Sequence, residues 1–179
     1  MRRAHVSCMR VGHAMIDLSW ITGELAIGGC FASEHTSLLA REHRIAAVVD
    51  VRAEDCDDER VLRDHGLALL HLPTDDHCAI APQQLRDGVA FAVRHLETGG
   101  RVLIHCQHGI GRSGLLGLCV LVARGHAPLA ALELAKTRRP RLSPSPAQYE
   151  AWARWLAERG AAVPSFNAFA AIAYRHLKA

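Results

Sequence analysis

Short aliphatic runs alternate along this chain with longer stretches in which apolar residues recur every three or four positions. Leu25 to Gly28, Ile45 to Val51 (IAAVVDV), Leu67 to Leu72 (LALLHL) and Arg101 to His105 (RVLIH) are bounded by glycine, proline or charge. That pattern predicts buried strands, and the β-branched run at Ile45 to Val51 suits a central one. Ser33 is placed to cap a helix running through Leu38, Leu39 and Arg41 to about Arg44. After the charged loop Arg52 to Asp58 (RAEDCDD), a short helix follows, with Asp57, Asp58 and Glu59 favourably near its N-terminus and Gly66 at its end. Pro82 fits the first turn of a long helix. Its Leu85, Val89, Phe91, Ala92, Val93 and Leu96 form a broad apolar face, and Gly99-Gly100 closes it.

Leu115 to Ala123 (LLGLCVLVA) is apolar all round, which predicts a buried helix far too short to span a membrane. Gly125 ends it, and Leu129 to Arg138 forms the next. Arg138-Arg139-Pro140 and Ser143 to Pro146 (SPSP) break the chain again. Ala147 to Glu158 is helical, with Tyr149, Trp152, Trp155 and Leu156 spaced for burial. Phe166 to Leu177 reads as a terminal helix with Phe169, Ile172 and Leu177 on one face. Residues 1–19 lack a clean period and read as a leader or a first edge element. The expectation is an α/β fold, a mainly parallel central sheet flanked by helices. It forms one domain over 1–179, with its core at 20–160 and a C-terminal helix in 161–179.

Composition mainly excludes. Half the residues are hydrophobic but only 5% are aromatic, so the core is aliphatic, as α/β proteins are and β-sandwiches are not. A net charge of +3 is too small to argue for nucleic acid as partner. Arg2 and Arg3 are followed by SCMRVGHAMIDLSW rather than an apolar run, so no signal peptide and no stable membrane insertion are expected. Cys8, Cys30, Cys56, Cys78, Cys106 and Cys119 contain no CxxC pair and no zinc-ligand spacing. His105, Cys106 and His108 are close in sequence, but strand alternation turns His105 away from Cys106. Without a second ligand cluster, no metal site is expected.

The chemistry lies between the fourth aliphatic run and the helix after it, in Cys106-Gln107-His108-Gly109-Ile110-Gly111-Arg112-Ser113. A strand, a glycine-bearing loop and a helix N-terminus make an anion site, with converging N–H groups and a favourable helix dipole. A cysteine at its rim is acidified towards thiolate. Arg112 offers a planar fork to two oxygens of a phosphate, and Ser113 is placed to cap the helix. Thiolate, oxyanion cradle and guanidinium are the parts for nucleophilic attack on a phosphate ester.

His105-Cys106, five residues, then Arg112-Ser113 resembles the signature of cysteine-dependent protein tyrosine phosphatases. The short chain and single glycine-spaced loop look most like the dual-specificity branch, over about Trp20 to Gln148. The resemblance implies that fold, a reduced cytoplasmic setting for the thiolate, and no metal or organic cofactor. It also implies phosphate-ester hydrolysis in two steps through a phosphocysteine. Cys106 would be the nucleophile. Arg112 and the loop from Gln107 through His108, Gly109, Ile110 and Gly111 would hold the phosphate. Ser113 would stabilise the departing thiolate, and His105 would brace the loop. The family's general acid follows a proline some thirty residues before the nucleophile. Registering Pro73 in Leu72 to Cys78 (LPTDDHC) puts Asp76 in that role, with Asp75 second. Gln148 either helps place water, as a glutamine does in family members, or is an ordinary helix residue. Asp50 and Arg52 end a strand on the active edge and read as structural. Cys78 is either an apolar filler or a thiol able to oxidise onto Cys106.

Phosphotyrosine in proteins, either alone or with phosphoserine and phosphothreonine, is the expected substrate. A phosphoinositide or other small phosphate ester is the alternative; lipid-directed relatives carry extra lysines where this loop has Gln107, His108 and Ile110. A phosphate-binding module without turnover is the reading from another class, and such relatives lose the cysteine, arginine or acid. A rhodanese-like or arsenate-reducing thiol enzyme is disfavoured by the candidate acid and by Ser113.

Overall fold

The aliphatic runs all enter one sheet. The computed structural model describes residues 16–177. Its strands are β1 (Leu18–Trp20), β2 (Leu25–Gly28), β3 (Ile45–Asp50), β4 (Ala68–His71) and β5 (Arg101–His105), in the order β1-β2-β5-β3-β4. β1 pairs antiparallel with β2, and the other pairs are parallel. The segment before Trp20 therefore contributes an edge strand; residues 1–15 and 178–179, parts of the expected leader and terminal helix, lie outside the described residues.

Strand alternation serves two cores. Ile27, Ala47, Val49, Val102 and Ile104 face one side, while Ala26, Ile45, Val48 and Leu103 face the other. A bulge keeps β3 in step. Ile45 pairs with Arg101 and Ala47 with Val102, so Ala46 is extra and Ile45 returns to the side of Val48. The smaller core is covered by α1 (Thr36–Arg41) through Leu39 and α2 (Glu59–Asp64) through Leu62. The larger is covered by α3 (Pro82–Glu97), α4 (Arg112–Ala123), α5 (Pro128–Arg138), α6 (Pro146–Glu158) and α7 (Phe166–Ala173). Fully burying one such Leu or Val contributes about 1.5–3 kcal/mol, so α4, buried from Arg112 to Leu121, anchors this side.

Two helix boundaries differ from expectation. A 3-10 turn over Ser33–His35 precedes α1, whose N-cap is His35, so Ser33 caps nothing; α1 stops at Arg41. The terminal helix ends at Ala173, and Leu177 belongs to a separate 3-10 turn, 72% exposed rather than packed beside Phe169. Strand register then fixes where chemistry can occur. Gly28, His105, Asp50 and His71 stand side by side at the carboxyl ends of four parallel strands. The segments that follow them open onto one edge, where ligands bind in sheets of this type.

Candidate active site

Residues 106–111 turn tightly from β5 into α4. Gly109 has φ +64, and a Cβ there would strike the backbone of Gly28 and the head of Arg139, so only glycine fits. Carbonyls of the turn are held from outside: Cys30 N–H donates to Gln107 O at 3.2 Å and Ser143 N–H to Ile110 O at 3.0 Å. Gly109 N–H instead points inwards and donates to Cys106 Sγ at 3.3 Å. Ser113 Oγ stands 3.3 Å from the same sulfur. Burial pushes the Cys106 thiol up, but the Ser113 hydroxyl and the amides of Ser113, His108 and Ile110 outweigh it and bring the thiol below its ordinary value. The expected capping by Ser113 is not what its side chain does. Gly111 is the N-cap without a side-chain bond, and the hydroxyl is turned to the sulfur.

Arg112 is almost wholly buried, and its guanidinium is gripped by a residue that the sequence did not single out. Glu54, on the segment after β3, lies end-on to it, with both carboxylate oxygens 2.7 Å from Nη1 and Nη2. Hydrogen bonding to Arg112 holds the Glu54 carboxyl down at about 2. Nη1 also donates to Thr74 O at 2.8 Å. Nε is buried and has no hydrogen-bond partner among the described residues, which leaves one charged donor of the guanidinium unpaired. Within RAEDCDD no periodicity distinguishes Glu54 from its acidic neighbours.

Asp76 is brought to the same guanidinium, Oδ1 3.3 Å from Arg112 Nη2, with its side chain half exposed. The structure thus assembles Asp76, rather than Asp75, with the cysteine loop. Asp75 lies one residue back in a turn where its carbonyl accepts from Cys78 N–H. That turn is tied to the start of α6. Ser145 Oγ donates to His77 O at 2.8 Å, and Gln148 Nε2 donates to Cys78 O at 3.0 Å. Gln148 Oε1 accepts from Ser145 N–H at 2.8 Å, closing a capping box. Both amide atoms of Gln148 therefore serve the helix and the acid loop, although the side chain abuts Gly111 of the cysteine turn. The S-x-x-Q spacing signals this cap in the sequence. Cys78 itself sits on the exposed outer part of that turn.

Behind the cysteine, His105 is fully buried and its Nε2 lies 2.7 Å from Asp57 Oδ2. Burial pushes the imidazole down, but the bond and charge of Asp57, with the charge of Asp50, outweigh it and raise its pKa. Arg52 donates to Asp50 through Nε and Nη2, both at 2.9 Å, and to Asp57 through Nη2 at 2.7 Å. Asp50 and Arg52 form a buried ion pair, and Asp57 joins them rather than capping α2, whose cap is Asp58. The expectation that no ligand cluster forms is corrected, because Asp50, Asp57 and His105 do converge, as do Asp50, Cys56 and His71. The guanidinium of Arg52 supplies the positive charge that the paired carboxylates require.

A family model described as "Polymorphic toxin system, DSP-PTPase phosphatase" matches residues 27–126. Dual specificity protein phosphatase 1 of Mus musculus is 35% identical over 72 residues, which are 40% of this chain and 20% of that protein; the Rattus norvegicus protein matches equally. The chain thus spans only a fifth of the length of those relatives. Among solved structures, Tk-PTP in its active form is 29% identical with a TM-score of 0.71, covering 80% of this chain and 97% of that one. PTPMT1 in complex with PI(5)P shares the fold at 22% identity, TM-score 0.72, covering 79% and 97%. No helix among the described residues is long and apolar enough to cross a membrane.

Proposed function

We propose that this chain, which belongs to the DSP-PTPase phosphatase family, hydrolyses phosphate monoesters through a phosphocysteine intermediate, with phosphotyrosine in proteins as principal substrate and phosphoserine and phosphothreonine beside it. One observation carries the reading: Gly109 N–H and Ser113 Oγ both approach Cys106 Sγ at 3.3 Å, and the adjoining Arg112 keeps a buried Nε donor without a partner among the described residues. Cys106 thiolate attacks phosphorus in line while Arg112 and the amides of residues 107–112 hold the equatorial oxygens. The phosphorus–oxygen ester bond breaks, and the Asp76 carboxyl gives its proton to the leaving oxygen. In the second step Asp76, now a carboxylate, takes a proton from water as the water oxygen attacks phosphorus. The phosphorus–sulfur bond breaks, and Ser113 Oγ, 3.3 Å from the sulfur, donates to the departing thiolate. Glu54 positions Arg112, and His105 with Asp57 braces the base of the loop. No step calls for a metal or an organic cofactor. A reducing compartment such as the cytoplasm suits the thiolate.

A phosphoinositide is the second reading, favoured by the shared fold of PTPMT1, which is seen with PI(5)P. Gln107, His108 and Ile110 add no lysine beside the cysteine, which supports the phosphoprotein reading over it. Phosphate release from a panel of phosphopeptides, phosphoinositides and phosphosugars tests both. Phosphotyrosine peptides are expected to turn over fastest. Preference for a phosphoinositide overturns the substrate assignment, and binding of phosphate without release from any ester overturns the enzymatic reading.

A further inference from the structure

Arg139 lies thirty residues beyond the cysteine loop, in the break after α5, yet it is one of the largest fully buried side chains. Its guanidinium reaches the back of the loop, where Nε donates to Gly109 O at 2.6 Å and Nη2 to His108 O at 3.1 Å. The other side of the guanidinium is taken by Asp17, with Nη1 to Oδ1 at 3.1 Å and Nη2 to Oδ2 at 2.9 Å, and Nη1 also donates to Ser19 Oγ at 3.2 Å. Asp17 directly precedes β1, so the antiparallel edge strand delivers this carboxylate to the loop. A Cβ on Gly29 would fall 2.7 Å from Asp17 Oδ2, and one on Gly109 would strike Arg139. Glycine at both places leaves the ion pair its room.

Peptide planarity converts these outer contacts into inner ones. A trans peptide points its carbonyl and its N–H in opposite directions. The peptide whose oxygen is His108 O carries Gly109 N–H, which donates to Cys106 Sγ at 3.3 Å. The peptide whose oxygen is Gly109 O carries Ile110 N–H, whose backbone dipole also lowers the Cys106 thiol pKa. Both peptides that Arg139 holds from behind therefore present their donors to the nucleophile in front.

We propose that Arg139, held by Asp17, is a positioning residue for the proposed phosphatase reaction: by fixing the His108–Gly109 and Gly109–Ile110 peptide planes it aims their N–H groups at Cys106 Sγ and at the bound phosphoryl oxygens. This rests on the phosphatase reading, but its first readout needs no turnover. Losing the alignment removes charge-assisted hydrogen bonds from thiolate and oxyanion together, whereas a merely structural arginine would alter stability and leave the thiol alone.

The test is the pH dependence of iodoacetamide alkylation, read on the Cys106 peptide by mass spectrometry. The parent is compared with Arg139→Lys, which keeps the charge but cannot bridge both carbonyls and Asp17. Circular dichroism monitors the fold, and kcat and KM are measured on p-nitrophenyl phosphate. Arg139→Lys is expected to raise the apparent thiol pKa by about one pH unit and to lower kcat roughly ten-fold or more, with a smaller change in KM. Should Arg139→Lys not fold, Asp17→Asn, altered at a half-exposed carboxylate, is expected to shift the thiol the same way by a smaller amount. A folded variant whose Cys106 profile matches the parent overturns the positioning role. Parent turnover reports separately on the phosphatase reading, which falls if the parent releases no phosphate even where the variant thiol shifts.

Discussion

Glu54 meets Arg112 end-on, its two carboxylate oxygens each 2.7 Å from a terminal guanidinium nitrogen, across 58 residues of sequence. The contact uses Nη1 and Nη2, and among the described residues it leaves Nε as a buried donor without a partner.

Glu54→Gln is therefore expected to impair turnover rather than release it. A glutamine offers one acceptor and turns an NH2 group against the guanidinium, so kcat/KM should fall about ten-fold or more. Because the carboxyl is held at about 2, it stays ionised throughout the working range, and the acid limb of the pH–rate profile should not move. Steady-state kinetics over pH check this; a variant faster than the parent would make Glu54 an inhibitor of the site.

Cys106→Ser should abolish hydrolysis while the protein still binds an oxyanion. The loop amides and Arg112 remain, but a serine hydroxyl is scarcely ionised at neutral pH. Isothermal titration with tungstate, alongside phosphate-release assays, measures both. Hydrolysis near the parent rate would remove Cys106 as nucleophile.

Asp76→Asn keeps hydrogen-bonding capacity and removes the transferable proton. Poor leaving groups should lose about 10²–10⁴ in rate, activated nitrophenyl esters much less, and the basic limb of the pH profile should flatten. Asp75→Asn should do little on either count. Exchange of these behaviours between the two variants would put the acid one residue earlier, against the 3.3 Å approach of Asp76 to Arg112.

Asp57→Asn should destabilise the fold in a pH-dependent way. The His105 pKa is raised, so its contribution is fully present below the unfolded value near 6.5 and is lost as pH rises through the folded value. Denaturant unfolding of parent and variant should therefore differ most at about pH 5.5 and less at about pH 8.5. The gap should not close, because Arg52 keeps its 2.7 Å contact with Asp57 at every such pH. A gap that stays the same from about pH 5.5 to about pH 8.5 would mean that His105 is neutral throughout.

The parts legible in the sequence are those written locally. Aliphatic runs marked all four parallel strands, and the loop from Cys106 to Ser113 carried its own chemistry in consecutive residues. The site's supports were hidden because their partners are remote: Glu54 acts on a residue 58 positions away, and Arg139 reaches carbonyls 30 and 31 positions away while held by an aspartate 122 positions away. Ser113 was legible as a helix-start hydroxyl, yet the sulfur competes better for it than the backbone does. Ser145 and Gln148 carried a capping spacing that the flanking prolines obscured as a chain break. Asp57 could not be told from Asp58 by composition, and only the fold sends one to His105 and the other to the helix.

The antiparallel strand β1 bears on how small a working piece of this protein can be. The family pattern covers residues 27–126, and the consecutive chemical groups all fall inside it. Asp17 lies upstream of that window, and Arg139, Ser145 and Gln148 lie downstream. A fragment trimmed to the recognisable stretch would keep every reacting atom and lose the outer scaffolding that aims them. The heritable unit that substitution can alter independently is thus longer than the stretch by which relatives are recognised, and it begins no later than the edge strand.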